Sequence, residues 1–275
     1  MDLPSLSDTV RRHGLRADKG LGQHFLLDSN ITDKIARLCD LPAAVLEVGP
    51  GPGGLTRSLV DAGAERVVAV EMDPRFLPAL REVAEASGKL EVVQGDALKV
   101  RPDLPDGHVI AANLPYNVGT KLLTNWLTQS PRRWRQMVLM FQLEVAERVV
   151  AGPGDSAYGR LAVLSASVCE AHIAMHVPAR AFSPPPKVDS AVVVLRPLDT
   201  PFSDLETLGR VTQAAFGQRR KMLRGALKGL AKQKGVEAGA WLKAAGIDPT
   251  ARAETIGVEG FQRLVEGLKA FNPPS

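Results

Sequence analysis

The sequence is poor in cysteine. Only Cys39 and Cys169 occur among its 275 residues, both in apolar helix-like contexts and neither in a Cys-x-x-Cys pair. A disulfide framework or a structural zinc site needs more thiols at closer spacing. We therefore expect two reduced, packed thiols and no metal site.

Long apolar runs are also lacking. No run approaches the roughly 18 residues that cross a membrane, although 45% of the residues are hydrophobic. The first 20 residues carry Asp2, Asp8 and Asp18 among their arginines, whereas a signal peptide has an apolar core and a transit peptide is poor in acids. We expect a cytoplasmic globular protein with no membrane contact.

Acidic residues are missing from one stretch near the C-terminal end. None lies between Glu206 and Glu237, where seven cations run from Arg219 to Lys234. Residues 1–198 hold 22 Lys and Arg against 22 Asp and Glu, whereas residues 199–275 hold 12 against 8. The net charge of +4 therefore comes from the last quarter of the chain, and a local positive field of this kind favours a polyanionic partner.

Short apolar segments alternate with helical patterns over the first two thirds of the chain. Strands are predicted at residues 44–48, 66–71, 90–94, 108–112 and 136–141, with strand-like segments at 171–177 and 190–195. This alternation is typical of an α/β fold with a mostly parallel, doubly wound, Rossmann-like sheet. We expect this domain to cover residues 1–198, with residues 1–27 as a basic, aperiodic N-terminal arm.

The last quarter of the chain contains helical patterns only. They cover residues 207–216, 218–232, 239–245 and 258–271. On the second of these, Leu223, Leu227 and Leu230 can form a buried stripe, while basic side chains recur at intervals of four on another face. We expect residues 199–275 to form a small, basic, all-helical domain.

Four polar or glycine residues follow the ends of consecutive predicted strands. They are Gly49, Glu71, Asp96 and Asn113. Ligands of open parallel sheets bind at the carboxyl ends of the strands, which share one edge. The sequence therefore predicts a ligand site built from these four positions.

The glycine-rich segment Gly49-x-Gly51-x-x-Gly54 predicts a nucleoside-containing cofactor. Glu71 lies 20 residues after Gly51, where a carboxylate can accept both ribose hydroxyls. Taken by itself, this pattern would suggest NAD. S-adenosylmethionine fits the later segments of the sequence better. Asp96 can accept from its adenine amine, and Asn113 would lie beside its sulfonium.

The segment Asn113-Leu-Pro-Tyr116 is suited to hold a planar amine. The Asn113 side-chain carbonyl and the Leu114 backbone carbonyl can each accept one hydrogen of an exocyclic amino group, while Pro115 stiffens the turn. Tyr116 can stack on the attached ring, and Phe182, before a stiff triple-proline loop, is the candidate for the opposite wall. The alternatives are a strand-end turn with a buried tyrosine and a proline turn with Phe182 packed below it.

Together these residues resemble the KsgA-type small-subunit ribosomal RNA adenine dimethyltransferases. The resemblance runs in order over nearly the whole chain. It is carried by Gly22-Gln-His-Phe-Leu26, Val45-Leu-Glu-Val-Gly-Pro-Gly51, Val70-Glu-Met-Asp73, Gln94-Gly-Asp-Ala97, Asn113-Leu-Pro-Tyr-Asn117, Phe141-Gln-Leu-Glu-Val-Ala-Glu-Arg148, Ala157-Tyr-Gly-Arg160, the segment from Phe182 to Ser190, and Phe216-Gly-Gln-Arg-Arg-Lys221.

The resemblance implies a Rossmann-like enzyme that dimethylates N6 of two adjacent adenines in a hairpin near the 3′ end of 16S rRNA. Its partner would be the 30S subunit or a precursor particle, and we expect the enzyme to be a monomer. We expect direct in-line transfer of the methyl group, without a side-chain base.

Residue roles are carried over from the matching motifs. The predicted catalytic residues are Asn113, Leu114, Pro115, Tyr116 and Phe182. The predicted cofactor-binding residues are Gln23, His24, Leu26, Glu47, Gly49, Gly51, Glu71, Met72, Asp96, Ala97 and Asn113. The predicted RNA-binding residues are Arg160, Lys187, Arg219, Arg220, Lys221, Arg224 and Lys228. Two positions depart from the family, since His24 stands where Asn is frequent and Leu143 where Lys is common.

Three other functions compete with this prediction. A related adenine methyltransferase acting on 23S rRNA or DNA would differ in the adenines that it modifies. A ribosome-assembly checkpoint would need binding but not methylation, and an NAD dehydrogenase would bind the other cofactor.

Overall fold

The computed structural model describes residues 3–18 and 23–271, with side chains to residue 268. Gly22, which opens the first family motif, lies outside these residues. The helices are α1 (Leu6–Arg12), α2 (Ser29–Arg37), α3 (Gly54–Asp61), α4 (Leu77–Ser87), α5 (Gly119–Leu127), α6 (Leu143–Val150), α7 (Arg160–Val168), α8 (Leu205–Phe216), α9 (Leu223–Ala226), α10 (Lys228–Gln233), α11 (Ala238–Ala244) and α12 (Val258–Phe271). The strands are β1 (Phe25–Leu26), β2 (Ala44–Val48), β3 (Arg66–Glu71), β4 (Leu90–Gln94), β5 (His108–Asn113), β6 (Trp134–Gln142), β7 (Cys169–Val177), β8 (Phe182–Ser183) and β9 (Ser190–Pro197).

Seven strands form one sheet in the order β4-β3-β2-β5-β6-β9-β7. The first five run parallel, and β9 pairs antiparallel with β6. Every residue of β2 is buried, as expected for an apolar central strand covered on both faces. The predicted mostly parallel, Rossmann-like sheet is confirmed, and its order places the ends of β4, β3, β2 and β5 side by side.

The chain divides into two compact units, of which the first comprises Met1–Ala146 and His172–Arg196. Its core packs apolar side chains of α2, α3 and α4 against one face of the sheet. Cys39 and Cys169 are both buried, and neither is in a disulfide. No described helix is both long enough and apolar enough to cross a membrane.

The second unit comprises Glu147–Ala171 and Pro197–Ser275, which differs from the predicted boundary after residue 198. The segment before β7 belongs here because Tyr158 and Ala162 are buried in one apolar core with the C-terminal helices. The Tyr158 hydroxyl donates to the Ile256 carbonyl at 2.9 Å. Sequence order concealed this association, since the segment interrupts the strands of the sheet.

The predicted basic helix over residues 218–232 is wrong. Residues 218–221 form a turn, and the helical part is split into α9 and α10 at Leu227. Gly225 and Gly229 weaken a continuous helix, and Met222 instead makes a β-bridge with Arg252. The predicted apolar stripe is nevertheless buried, because Leu223, Leu227 and Leu230 are at most 9% exposed.

The N-terminal segment is more ordered than the predicted aperiodic arm. Ser5 caps α1, since its hydroxyl accepts from the Asp8 backbone N–H at 3.1 Å. Further along, β1 pairs antiparallel with β8 and places Leu26 opposite Phe182. A Ser-x-x-Asp cap was visible in the sequence, but the partner of β1 lies more than 150 residues away.

Candidate functional site

The turn that follows β5 presents two unused hydrogen-bond acceptors. Leu114 is 2% exposed, and its N–H donates to the Met140 carbonyl at 3.4 Å. The Pro115 carbonyl accepts from the Gly119 N–H at 3.0 Å and thereby joins the turn to α5. Among the described residues, neither the Asn113 side chain nor the Leu114 carbonyl has a hydrogen-bond partner. Both acceptors are therefore available to an exocyclic amine.

Tyr116 is held at both ends of its side chain. Its hydroxyl lies 3.0 Å from Ser190 Oγ, and its ring centroid lies 5.6 Å from that of His24. His24 is fixed in turn, because its Nδ1 donates to the Pro184 carbonyl at 2.7 Å. Burial raises the pKa of Tyr116, so the phenol stays neutral and cannot serve as a base near neutral pH.

Glu71 closes the same site at the end of β3. Its carboxylate accepts from the backbone N–H of Gly51 at 3.1 Å and from that of Asp73 at 2.8 Å. Gly51 has a φ of 54°, a conformation that favours glycine. Burial raises the pKa of Glu71, and the two backbone bonds oppose this shift. The carboxylate thus lies against the glycine turn with oxygen lone pairs left for further donors.

A cavity brings most of the predicted cofactor residues together. Its lining includes Gln23, His24, Leu26, Gly49, Gly51, Glu71, Asn113, Leu114, Pro115 and Tyr116. The predicted cofactor residues did not include the other lining residues, Phe25, Pro50, Pro52, Gly54, Leu55 and Phe76. Gly54 is the third glycine of the sequence pattern, and a Cβ there would lie 2.8 Å from Leu6 Cδ2 and 3.0 Å from the Leu26 carbonyl oxygen.

Four predicted cofactor residues do not line this cavity. Glu47 is 1% exposed and accepts from the Thr56 hydroxyl at 2.7 Å. Met72 is 58% exposed. Asp96 follows β4 as predicted, but its carboxylate accepts from the Leu98 N–H at 2.9 Å, and Ala97 lines a separate cavity. Their roles therefore rest on the family motifs and not on the shape of the cavity.

Gln23 is positioned by a network that the sequence did not suggest. Its side-chain amide donates to Asp73 at 3.0 Å, and Asp73 also binds the Arg75 guanidinium. The Arg75 hydrogen bond is the main reason that the pKa of Asp73 is lowered to about 2. Because the Asp73 N–H donates to Glu71, this network connects the N-terminal segment with the carboxylate at the end of β3.

Phe182 is not among the residues that line this cavity. It is 4% exposed and packs in the core of the first unit. The pairing of β8 with β1 places Phe182 opposite Leu26. Its burial favours the alternative, a phenylalanine packed below the proline loop, and its role opposite Tyr116 stays a prediction.

The predicted RNA-binding cations are all exposed, but Arg219 differs from the rest. Its guanidinium donates to Glu254 at 3.0 Å and to the Ser156 carbonyl at 2.8 Å, so it ties together parts of the second unit. Arg220, Lys221, Arg224 and Lys228 make no ion pair among the described residues. Leu143, where a lysine is common, begins α6 and offers no charge to a phosphate.

Comparison with known proteins gives full-length matches. A model of the family described as ribosomal RNA adenine dimethylase matches residues 14–269. A protein of Maricaulis maris named ribosomal RNA small subunit methyltransferase A is 56% identical over 98% of this chain and 96% of its own. One of the same name from Mesorhizobium japonicum is 56% identical over 97% of this chain and 98% of its own.

Two solved structures are similar over most of the chain. A dimethyladenosine transferase from Plasmodium falciparum has a TM-score of 0.76 and 28% identity, covering 88% of this chain and 96% of that one. The 23S rRNA methyltransferase ErmE has a TM-score of 0.69 and 31% identity, covering 89% of this chain and 99% of that one.

Proposed function

We propose, from the premise that the chain belongs to the ribosomal RNA adenine dimethylase family, that it methylates N6 of two adjacent adenines in a hairpin near the 3′ end of 16S rRNA. As a member of that family it is an S-adenosylmethionine-dependent rRNA adenine dimethyltransferase. This excludes the nicotinamide alternative. The names of the 56% identical relatives support small-subunit rRNA as the substrate, and we take a pre-assembled 30S particle as its form.

The observation that carries the active-site assignment is the pair of free acceptors at Asn113 and Leu114. They lie on the wall of the cavity that Gly51 and Glu71 also line. The N6 lone pair is delocalised into the purine ring, so the free amine is a poor nucleophile. Two acceptors on its hydrogens favour a pyramidal nitrogen with its lone pair directed at the methyl donor.

The residues that line the cavity, together with Asp96, Met72 and Ala97 from the family motifs, fit the cofactor. S-adenosylmethionine, when bound, supplies a methyl group on a positively charged sulfur. Glu71 would accept the ribose hydroxyls, Asp96 the adenine amine, and Gln23 and His24 would hold the methionyl end. The neutral Asn113 amide suits a position beside the sulfonium, because an aspartate there would stabilise the charged ground state. Met72 and Ala97 would flank the adenine.

Asn113→Ala tests the amine-holding role. We expect cofactor affinity close to that of the wild type, measured by calorimetry, and a loss of transfer of at least about a hundredfold, since one acceptor aimed at the reacting group is lost. Asn117→Ala is the matched control, because Asn117 is an exposed asparagine four residues further on. Near-normal turnover in the Asn113 variant would refute the role.

Labelled S-adenosylmethionine tests the substrate. We expect incorporation into unmodified 30S particles at two adjacent adenines, and none into 50S particles or DNA. The similarity to ErmE keeps 23S rRNA as the second candidate. Label in 23S rRNA alone would favour that candidate, and assembly rescue by the inactive Asn113 variant would favour a checkpoint role.

A further inference from the structure

A shallow cleft lies on the other side of the turn that holds the amine. Leu114, Tyr116, Gly119 and Gln142 are among its lining residues. Gly119 keeps it open, because a Cβ there would lie 3.3 Å from Leu114 Cβ and 3.4 Å from Phe141 Cε1. The cleft therefore borders the same acceptor and the same aromatic ring that the proposed active site uses.

Gln142 is the residue of this cleft whose side chain both donates and accepts hydrogen bonds through an amide. It ends β6 directly opposite Ser190 of β9. Residues directly opposite in an antiparallel pair direct their side chains to the same face of the sheet, with Cβ atoms about 5 Å apart. Ser190 Oγ lies 3.0 Å from the Tyr116 hydroxyl, and Gln142 and Tyr116 line the same cleft, so the Gln142 side chain starts on the face of the sheet that Tyr116 contacts.

The Gln142 amide is unused. It is half-buried, and it makes no hydrogen bond to any residue that the structure describes. Its amide is therefore free to donate a hydrogen bond to a bound ligand and to accept one from it. Its position beside Tyr116 makes the substrate base the nearest candidate partner.

We propose that Gln142 is the specificity-determining residue that recognises adenine, by donating a hydrogen bond from its amide to N1 of the target base. This rests on the proposed amine-holding role of Asn113 and Leu114, which leaves N1, beside C6, as a free acceptor. Guanine carries a hydrogen on N1 and a carbonyl at C6, so both contacts reject it. N7 is an acceptor in both purines and would not discriminate.

The contact has a second consequence for dimethylation. Each transfer forms an N6–CH₃ bond, breaks the bond from methyl to sulfur, and releases one N6 proton to solvent. After the first transfer, N6 keeps a single hydrogen, so one of the two acceptor contacts is lost. N1 stays open as an acceptor when the first methyl lies on the N7 side of the C6–N6 bond. The Gln142 contact therefore also selects this rotamer of the monomethylated base, and its loss affects the second transfer more than the first.

Gln142→Met tests the proposal, because methionine keeps the length of the side chain and removes the amide. We expect the second transfer to slow about tenfold more than the first, so that N6-monomethyladenine accumulates in the rRNA, as measured by mass spectrometry. Cofactor affinity should be unchanged. Gln129→Met, at an exposed glutamine, is the control and should give the wild-type ratio of monomethylated to dimethylated adenine.

Substituted RNA identifies the atom. With 1-deazaadenine at the target positions, wild type should slow by the same factor as Gln142→Met, and the variant should show no further loss. With 7-deazaadenine at the target positions, the ratio of the rates of the first and second transfers should be unchanged for the wild type. Equal slowing of both transfers in Gln142→Met, or additive losses with 1-deazaadenine, would overturn the proposal. Neither result would affect the role of Asn113, whose removal abolishes the first transfer as well.

Discussion

Glu47 shows how one buried side chain makes the stability of the fold depend on pH. It is 1% exposed at the penultimate position of β2. Burial raises the pKa of Glu47 to about 8, the Thr56 hydrogen bond lowers it in part, and Glu71 raises it further. A carboxyl whose folded-state pKa lies above its unfolded value binds more protons when folded. Its contribution to stability is therefore complete below the unfolded pKa of about 4.5 and is lost as pH rises towards 8.

Glu47→Gln should remove this pH dependence. The carboxamide oxygen can still accept from Thr56, so the hydrogen bond is retained. From pH 5 to pH 8, the thermal midpoint of the wild type should fall relative to that of the variant, by the equivalent of a few kcal/mol, on the order of what a shift of this size implies. Glu85→Gln, at an exposed position, should follow the wild type. A constant difference across this range would contradict the assignment.

The positions of some site residues could be predicted from the local sequence, whereas those of others could not. Glu71 and Asn113 were predictable, because each ends an apolar strand and parallel strands share one carboxyl edge. Phe182 was not, because the direction of its side chain depends on the pairing of β8 with β1. Gln142 escaped notice for a similar reason, since its proximity to Tyr116 follows from the register of β6 with β9.

At the level of elements, an arginine of α3 helps to attach α1 to the first unit, together with the ion pair between Arg12 of α1 and Glu82 of α4. Arg57 Nη1 donates to the Pro4 carbonyl at 2.6 Å, and its Nη2 donates to the buried Thr9 hydroxyl at 3.0 Å. Arg57 Nε is buried without a partner in the part of the chain that the structure describes. Burial lowers the pKa of Arg57. The attachment therefore depends on hydrogen bonds from a partly desolvated cation.

Arg57→Met should loosen α1 while keeping the apolar stem of the side chain. We expect faster amide hydrogen exchange across Leu6–Arg12 and a loss of stability of about 1–3 kcal/mol, the range for hydrogen bonds to a charged group. Arg66→Met is the matched control, because Arg66 makes only an exposed ion pair with Glu91. Unchanged exchange in α1 would show that its apolar contacts suffice.

Element boundaries in the sheet were more predictable than those of the basic helices. Strands β3 and β4 have the predicted bounds, since five or six apolar-rich residues between turns leave little choice. The region of α9 and α10 misled the prediction, because its apolar spacing fits one helix while its glycines and the bridge from Met222 to Arg252 interrupt it. Local periodicity cannot reveal a competing long-range backbone contact.

Over the whole molecule, the positive charge is distributed unevenly between the two parts of the sequence. Residues 1–198 are balanced, and the excess of four positive charges lies in residues 199–275. Of the basic cluster there, Arg219 is engaged with Glu254, whereas Arg220 and Arg224 are exposed and make no ion pair within the described ranges. We therefore predict that Arg220 and Arg224 bind RNA phosphate and that Arg219 has a structural role.

The two roles separate in the salt dependence of RNA binding. Each phosphate contact releases counterions, so the slope of log K against log salt changes by roughly 0.7 to 0.9 per contact. Arg220→Ala combined with Arg224→Ala should weaken binding to the ribosomal particle, reduce that slope by about 1.5, and leave cofactor affinity unchanged. Lys34→Ala combined with Arg37→Ala removes two exposed cations from the first unit and should keep the wild-type slope.

Arg219→Ala should instead lower the thermal midpoint, because it breaks the contacts to Glu254 and Ser156. If the Arg220 and Arg224 variant retained the full slope, the phosphate contacts would have to lie elsewhere on the chain.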